Sequence, residues 1–470
     1  MARGAKLCLA LLAAASADAS AAASAAEYFV SAVAQAGGDG SAASPFSTLG
    51  EAHAAVRTAL QAGPLTSHLT VHVGAGTHYL TEALHFTSAD SGRDGYRVLW
   101  VGASPSAGTV ERSIISGGRR VTGWHEGTEP GVLEAPLPAE FTAPPRQLYV
   151  DGMRASRTSD LPNSTRAGLS MAQTNITSSG LHTMSTAPLL WPYPNAVELR
   201  HDGAYEQSRC AVRAVTPDPV GKGCNIEMAQ PCWQLGVALG QMAHPSAVLN
   251  IGTELHPGEF AHRSTKPITT ASAAQSSSLM LRYRPRDATE RQGLLSGAVM
   301  STVPVASELI VAEGVTALTL EGITFEHSAW DAPASDDGYL ERYGGVRFLQ
   351  CNVSAAKETN RCYSGPDGAC GAGCCGAAAE FGGCALRMAE AAVSLRQATD
   401  VVVEGCTFRQ LGAWGLALTD GPVRTRVAHN SFHDTAGGGV YLVRTWQNPC
   451  SMVSILVVKE RKFVVCNRAT

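Results

Sequence analysis

An apolar segment ending in phenylalanine recurs three times in the C-terminal part of this 470-residue chain, and no other feature narrows its fold as far. The segments are Val315–Phe325, Ala398–Phe408 and Pro422–Phe432. Phe408 and Phe432 are 24 residues apart, and the same step carries Gly415-Leu416-Ala417-Leu418 onto Gly439-Val440-Tyr441-Leu442 and looks back to Ala391-Ala392-Val393-Ser394. A unit so short cannot bury its own apolar face, whereas strands stacked in parallel about 4.8 Å apart can. The repeat therefore predicts a parallel β-helix with the phenylalanines in an internal ladder. A β-sandwich, the competing architecture, alternates strand direction and supplies no reason for a fixed step.

The rest of the chain agrees with many short strands. It has 48 glycines and 45% hydrophobic residues against only 16% charged ones, a balance unlike that of a helical bundle. Tyr28-Phe29-Val30-Ser31 reads as a strand and Gly37–Gly40 as a turn. Glu51–Gln61 reads as a helix, with Ala52, Ala55, Val56 and Ala59 at helical spacing, capping the first apolar layer. Short β-type runs begin at Leu69. Phe325 and Phe408 are 83 residues apart, more than one repeat requires, which places an insertion at 344–388. The predicted division is a signal peptide over 1–25, a cap and first coils over 26–150, a β-rich irregular lobe over 151–300, further coils over 301–443, and an atypical tail over 444–470.

Arg3 and Lys6 precede an apolar run, Leu7–Ala15, and the small residues Ala23-Ser24-Ala25, the layout of a secretory signal. A secreted, extracellular protein is expected. No later segment approaches the ~20 apolar residues of a membrane helix. With Cys8 removed an even number of cysteines remains, able to pair completely in an oxidising compartment. Cys362, Cys370, Cys374, Cys375 and Cys384 crowd one Gly/Ala-rich stretch. They are read as disulfides, since no histidine lies between them and their spacing fits no regular zinc pattern. Asn163, Asn175 and Asn352 open glycosylation sequons. Lys+Arg 36 against Asp+Glu 40 gives a net charge of −4, with no basic run dense enough to hold nucleic acid.

Several stretches resemble the secreted right-handed parallel β-helix proteins of the pectin-lyase-like superfamily, close to the β-helical glycoside hydrolases. They are Pro45-Phe46-Ser47-Thr48-Leu49, Ala54-Ala55-Val56-Arg57, Asp90-Ser91-Gly92, Ile115-Ser116-Gly117-Gly118 with Gly123-Trp124, and Arg146–Ala155. Further on come Pro257–Phe260, Leu281–Pro285, Gly322–Trp330, Gly412–Leu416 and Asn430–Asp434 with Gly437–Gly439. The resemblance implies an all-β, right-handed parallel β-helix with an N-terminal capping helix and a β-rich lobe. It also implies activity on a polysaccharide or other glycan, with no cofactor or metal, and a monomer. Members carry further coils beyond the Gly-rich turn, which this chain replaces after Arg444 by Met452–Val458.

Glycoside hydrolysis needs two carboxyl groups, one protonated and one ionised. Asp434 beside the Gly-rich turn, Asp420 at the end of the preceding strand, and Asp331 are the catalytic candidates. Trp330 and Trp414 are candidate sugar platforms, and His327 and His433 candidate substrate-binding residues beside the ladder. Two alternatives stay open: a non-catalytic carbohydrate-binding or surface protein, and a polysaccharide lyase. The second needs a basic residue beside clustered Asp, whereas Asp336-Asp337 stands as a lone pair.

Overall fold

The computed structural model describes residues 27–103, 112–137, 141, 144–203, 206–252, 254–264, 279–343, 345–349, 351–354, 385–443 and 465–466. Within them the chain is mostly β, with few helices. The signal segment, the five clustered cysteines and most of the tail lie outside these residues.

Thr48 begins the first helix, α1 (Leu49–Ala62): its hydroxyl accepts from the Glu51 amide, and the Glu51 carboxylate accepts in return from the Thr48 amide. Leu49, Ala52, Val56 and Leu60 form its buried face, over the end of the apolar core. The opposite margin is pinned by charge. Asp90 is fully buried and accepts from His53 Nε2 at 2.8 Å and Arg57 Nε at 2.7 Å. These bonds overcome its desolvation and hold its carboxyl well below the usual range.

Sixteen strands make three parallel sheets. The first holds β1 (Glu27–Val30), β2 (Leu69–Val73), β5 (Val98–Gly102), β8 (Leu318–Glu321), β11 (Val402–Glu404) and β14 (Arg426–Ala428) in that order. The second holds β3 (Gly76–Tyr79), β6 (Ser113–Ser116), β9 (Thr324–Glu326), β12 (Thr407–Leu411) and β15 (Ser431–Thr435). The third holds β4 (Leu84–Phe86), β7 (Ile310–Glu313), β10 (Ala391–Arg396), β13 (Trp414–Thr419) and β16 (Gly438–Val443). From β2 onward the chain visits first, second and third sheet in turn, five times over. Val465–Cys466 pairs antiparallel with β14 at the last edge of the first sheet.

The repeat sets the register. Phe325 lies opposite Phe408 and Phe408 opposite Phe432, with ring centroids 5.1 and 4.7 Å apart. In the third sheet the expected alignment holds between β13 and β16, where Leu416 faces Val440, and is one residue out between β10 and β13, where Val393 faces Leu416 and Ala391 faces Trp414. Side chains alternate faces along a strand, so the true register is the one that keeps Val393 and Leu416 together in the core. Corners between sheets repeat as well. His327, Gln410 and Asp434 follow the paired residues Glu326, Arg409 and His433, and all three have left-handed backbones, φ 60, 55 and 51°. Asp, Asn and His tolerate that conformation better than other non-glycine residues, a backbone reason for Asp434.

The chain makes two long excursions, and both leave the second sheet and return to the third. The first, after β6, carries the lobe; the second, after β9, carries the antiparallel strands Glu341–Tyr343, Val346–Leu349 and Ala385–Met388. The lobe starts earlier than the expected residue 151. Gly118–Arg120 already pairs with Ser301–Pro304, and Leu133–Pro136 with Leu279–Tyr283. Its main sheet is built around Glu198–Asp202, Gln207–Pro217 and Cys224–Met228, over a separate core containing Trp191, Leu199, Ile226 and Trp233. Cys210 and Cys232 form a disulfide there. The expectation of complete pairing fails, because Cys224 and Cys406 are buried free thiols. Burial raises them to about 11 and about 12, so they behave as small apolar side chains.

Candidate functional site

Because both excursions return at one corner, they stand together beside the outer face of the third sheet. The Asp336 carboxylate of the second excursion pairs with Arg213 of the lobe, and Tyr339 bridges to Arg209 through the backbone. Two adjoining concavities result.

The first, of about 240 Å³, lies on the third sheet and is lined by Ser394, Ala417, Thr419 and Tyr441, with Glu308, Glu390, Asp420, Arg387 and Arg396 around them. Glu308 accepts from the Ser394 hydroxyl at 2.5 Å and pairs with Arg396 at 3.3 Å. Glu390 pairs with Arg347 at 2.8 Å. The second, of about 390 Å³, is lined by Trp330, Tyr339, Trp414, Gln207, Arg209 and Glu341 together with glycines. Ala389 lines both. Glu341 accepts amide protons from Gly345 at 2.7 Å and Gln207 at 2.6 Å, yet burial keeps its pKa above the ordinary value.

Behind the second concavity is a buried charge cluster. Arg146 grips Glu198 with two 2.8 Å hydrogen bonds, and Arg157 approaches the same carboxylate at 3.1 Å. The third N–H bond of Arg146 goes to the Trp330 carbonyl at 2.9 Å, and its guanidinium lies 4.5 Å from the centre of that ring. Arg209 sits 5.3 Å from the same ring. The arginines offset the burial of Glu198 and hold it strongly ionised. Arg209 is lowered to about 9, by burial first and then by Arg146.

Asp331 follows Trp330 and remains exposed, but protein crowds it on several sides. That crowding pushes its pKa up to about 6, with Arg146 opposing and Glu198 and Glu390 adding to the rise. The sequence candidates thus separate. Trp330 and Trp414 line one concavity, Asp420 lines the other, and Asp331 is within electrostatic reach of Glu390. Asp434 lines neither; Arg154 binds its carboxylate at 2.8 Å and its carbonyl at 3.0 Å. Trp414 is only 2% exposed and packs on Tyr441, so it is wall rather than open platform. His327 is not a surface residue: it is buried against Ser116 and Tyr149, which lowers its pKa. His433 aligns with Glu326 rather than with His327, and is exposed. Asn163, Asn175 and Asn352 are all exposed. Sequence reasoning missed Glu308, Glu341, Glu390 and the arginines, because they lie on excursions or flank strands with no repeat to single them out.

No family model matches the sequence, and no curated protein matches it. Among solved structures the chain is similar to one described as a glycoside hydrolase, with TM-score 0.65 and 19% identity over 92% of this chain and 69% of that one. At that identity the likeness establishes a glycoside-hydrolase-like fold. A fainter likeness, TM-score 0.40 and 10% identity over 89% of this chain and 53% of the other, is to the complex structure of XylC with xylose.

Proposed function

We propose that the three sheets are the faces of a right-handed parallel β-helix and that the chain is a secreted, carbohydrate-active protein, a glycoside hydrolase working in the paired concavities. The observation that carries this reading is that the two concavities meet at Ala389, with Glu390 in one and Trp330, the neighbour of Asp331, in the other. Hydrolysis asks for carboxyl groups in opposite protonation states. Asp331, raised to about 6, keeps a proton nearer neutrality than an ordinary aspartate and serves as the acid for the leaving oxygen. Glu390, paired with Arg347, is the second carboxyl group, acting as nucleophile or base. Asp420 lines the far part of the same surface and holds hydroxyls of the glycan.

A glycan screen of the purified protein tests this, with Asp331→Asn and Glu390→Gln alongside. Each substitution is expected to lower turnover by at least about 10²-fold while leaving the fold intact by circular dichroism. Wild-type turnover should fall as pH rises through about 6, where Asp331 loses its proton. Equal turnover by wild type and Asp331→Asn would remove the acid from the scheme. Binding without turnover by wild type would leave a carbohydrate-binding protein, a reading consistent with Glu308 and Glu390 both being paired with arginine.

A further inference from the structure

The main sheet of the lobe runs across seven strands, from Ser159–Asp160 at one border to Thr174–Ile176 at the other, where it pairs with Gly180–Thr183. The Met184 amide donates to the Gln173 carbonyl at 2.9 Å and the Thr177 amide to the Gly180 carbonyl at 2.8 Å. Bonded and unbonded residues alternate in an antiparallel pair. The N–H and C=O groups of Thr174 and Ile176 therefore point away from the sheet, with no strand beside them among the described residues. Such an edge is a template for another chain unless charge, proline or a bulge blunts it. None does so here: no residue from 167 to 181 is charged or a proline, and the pairing is unbroken. Ile176, on the edge itself, is 40% exposed, and Met171 just before it 71%. The opposite border is protected, since Asp160 pairs with Arg166 at 2.6 Å.

Asn175 stands in the middle of this edge and opens the sequon Asn175-Ile176-Thr177. Alternation along the strand buries Thr174 and turns Asn175 outward, in a row with His182 and Asn225 on the face away from the lobe core. We propose that an N-linked glycan on Asn175 closes this edge and keeps two copies of the chain from pairing strand to strand. Its attachment joins the Asn175 amide nitrogen to the anomeric carbon of an oligosaccharide and breaks that carbon's bond to a lipid pyrophosphate. The pyrophosphate and the amide proton leave, and the secretory lumen supplies donor and transferase. A glycan is bulky and solubilising, so it excludes a second strand where the sequence offers no charge to do so. Asn163 is exposed too, but it lies in a turn beside Arg166, whose pairs with Asp160 and Glu254 already charge that surface. The inference rests on the secreted reading and is independent of any activity toward glycans.

The test uses the full chain, directed to the secretory lumen of a eukaryotic host by an added leader, so that it holds whatever the chain's own N-terminus does. Peptide mass spectrometry is expected to find Asn175 glycosylated, and sedimentation velocity to find the protein monomeric. Asn175→Gln should dimerise increasingly with concentration. Wild type should do the same after enzymatic removal of the glycan in the folded state, which covers a variant that folds poorly. Adding Ile176→Lys to Asn175→Gln should restore the monomer, because a lysine on each edge repels its copy. An unoccupied Asn175, a glycosylated wild type that already dimerises, glycan-free protein that stays monomeric by both routes, or dimerisation unmoved by Ile176→Lys overturns the proposal. None of these measurements uses a glycan substrate, so they stand even if the protein hydrolyses nothing, and the two readings fail separately.

Discussion

In the three-sheet body Phe325, Phe408 and Phe432 stack ring on ring, whereas in the lobe one glutamate, Glu198, is enclosed by Arg146 and Arg157 with Arg209 close by. In the body, neighbouring strands of a sheet repeat one apolar contact, phenylalanine on phenylalanine, so each such contact is similar to the next and locally replaceable. The lobe instead joins residues 52 apart in sequence through a charge that is tolerable only while its partners stay in place. A lesion in the body should therefore be absorbed, and one in the lobe should not.

The largest expected effect comes from Glu198→Ala, which leaves Arg146 and Arg157 buried without their counter-charge. Loss of one partner of a buried pair costs about 3–5 kcal/mol. Limited proteolysis should then cut within 118–304 well before it cuts within 391–443. Cleavage of both at one rate would show that the two regions unfold as a unit.

Acid is the next probe of the comparison. Burial lowers His201 to about 4 and His262 to about 3, and both rings lie in the lobe at 2% and 1% exposure. The folded state prefers their neutral forms, so the stability they carry is complete above the ordinary histidine pKa and is lost as pH falls below it. Each costs about 1.4 kcal/mol per pH unit between 6.5 and its folded value. Arg157 and Glu198 face His262 with opposing effects, and Asp202 and His244 face His201 in the same way. The denaturation midpoint of the lobe is expected to drop between pH 6.5 and 4.5; burial lowers His78 and His327 in the body as well, so its midpoint falls with acid too, and His262→Gln should flatten the slope of the lobe alone. A slope unchanged by His262→Gln would assign the acid sensitivity elsewhere.

In the body, Phe408→Leu should cost only about 1–2 kcal/mol, a near-volume-conserving swap plus the loss of two ring contacts. The same feature made the body legible in the sequence: a side chain that must meet its copy 24 residues later leaves a period, and only the one-residue offset of Val393 escaped it. Nothing comparable marks the lobe. Glu198 and Arg146 find each other through topology, with no spacing to announce it. The site inherits that asymmetry. Trp330 and Asp331 were found because they follow a ladder phenylalanine, while Glu390, Glu341 and Arg209 were hidden on segments without a repeat.

Asp434 is one of the places where the two regions touch, and its substitution is expected to have the smallest effect. Its carboxylate meets the lobe through Arg154 at 2.8 Å, but that pair is 28% and 36% exposed, and such pairs contribute about 0–1 kcal/mol. Asn retains the left-handed corner, and the carbonyl of residue 434 still accepts from Arg154 Nη2. Asp434→Asn should therefore shift the melting temperature by no more than a few degrees and leave glycan turnover near the wild-type rate, in contrast to Asp331→Asn. If Asp434→Asn instead abolishes turnover in a folded protein, the reacting bond lies at the corner between the second and third sheets, where Arg154 of the lobe meets β15, and the contrast between body and lobe becomes part of the chemistry itself.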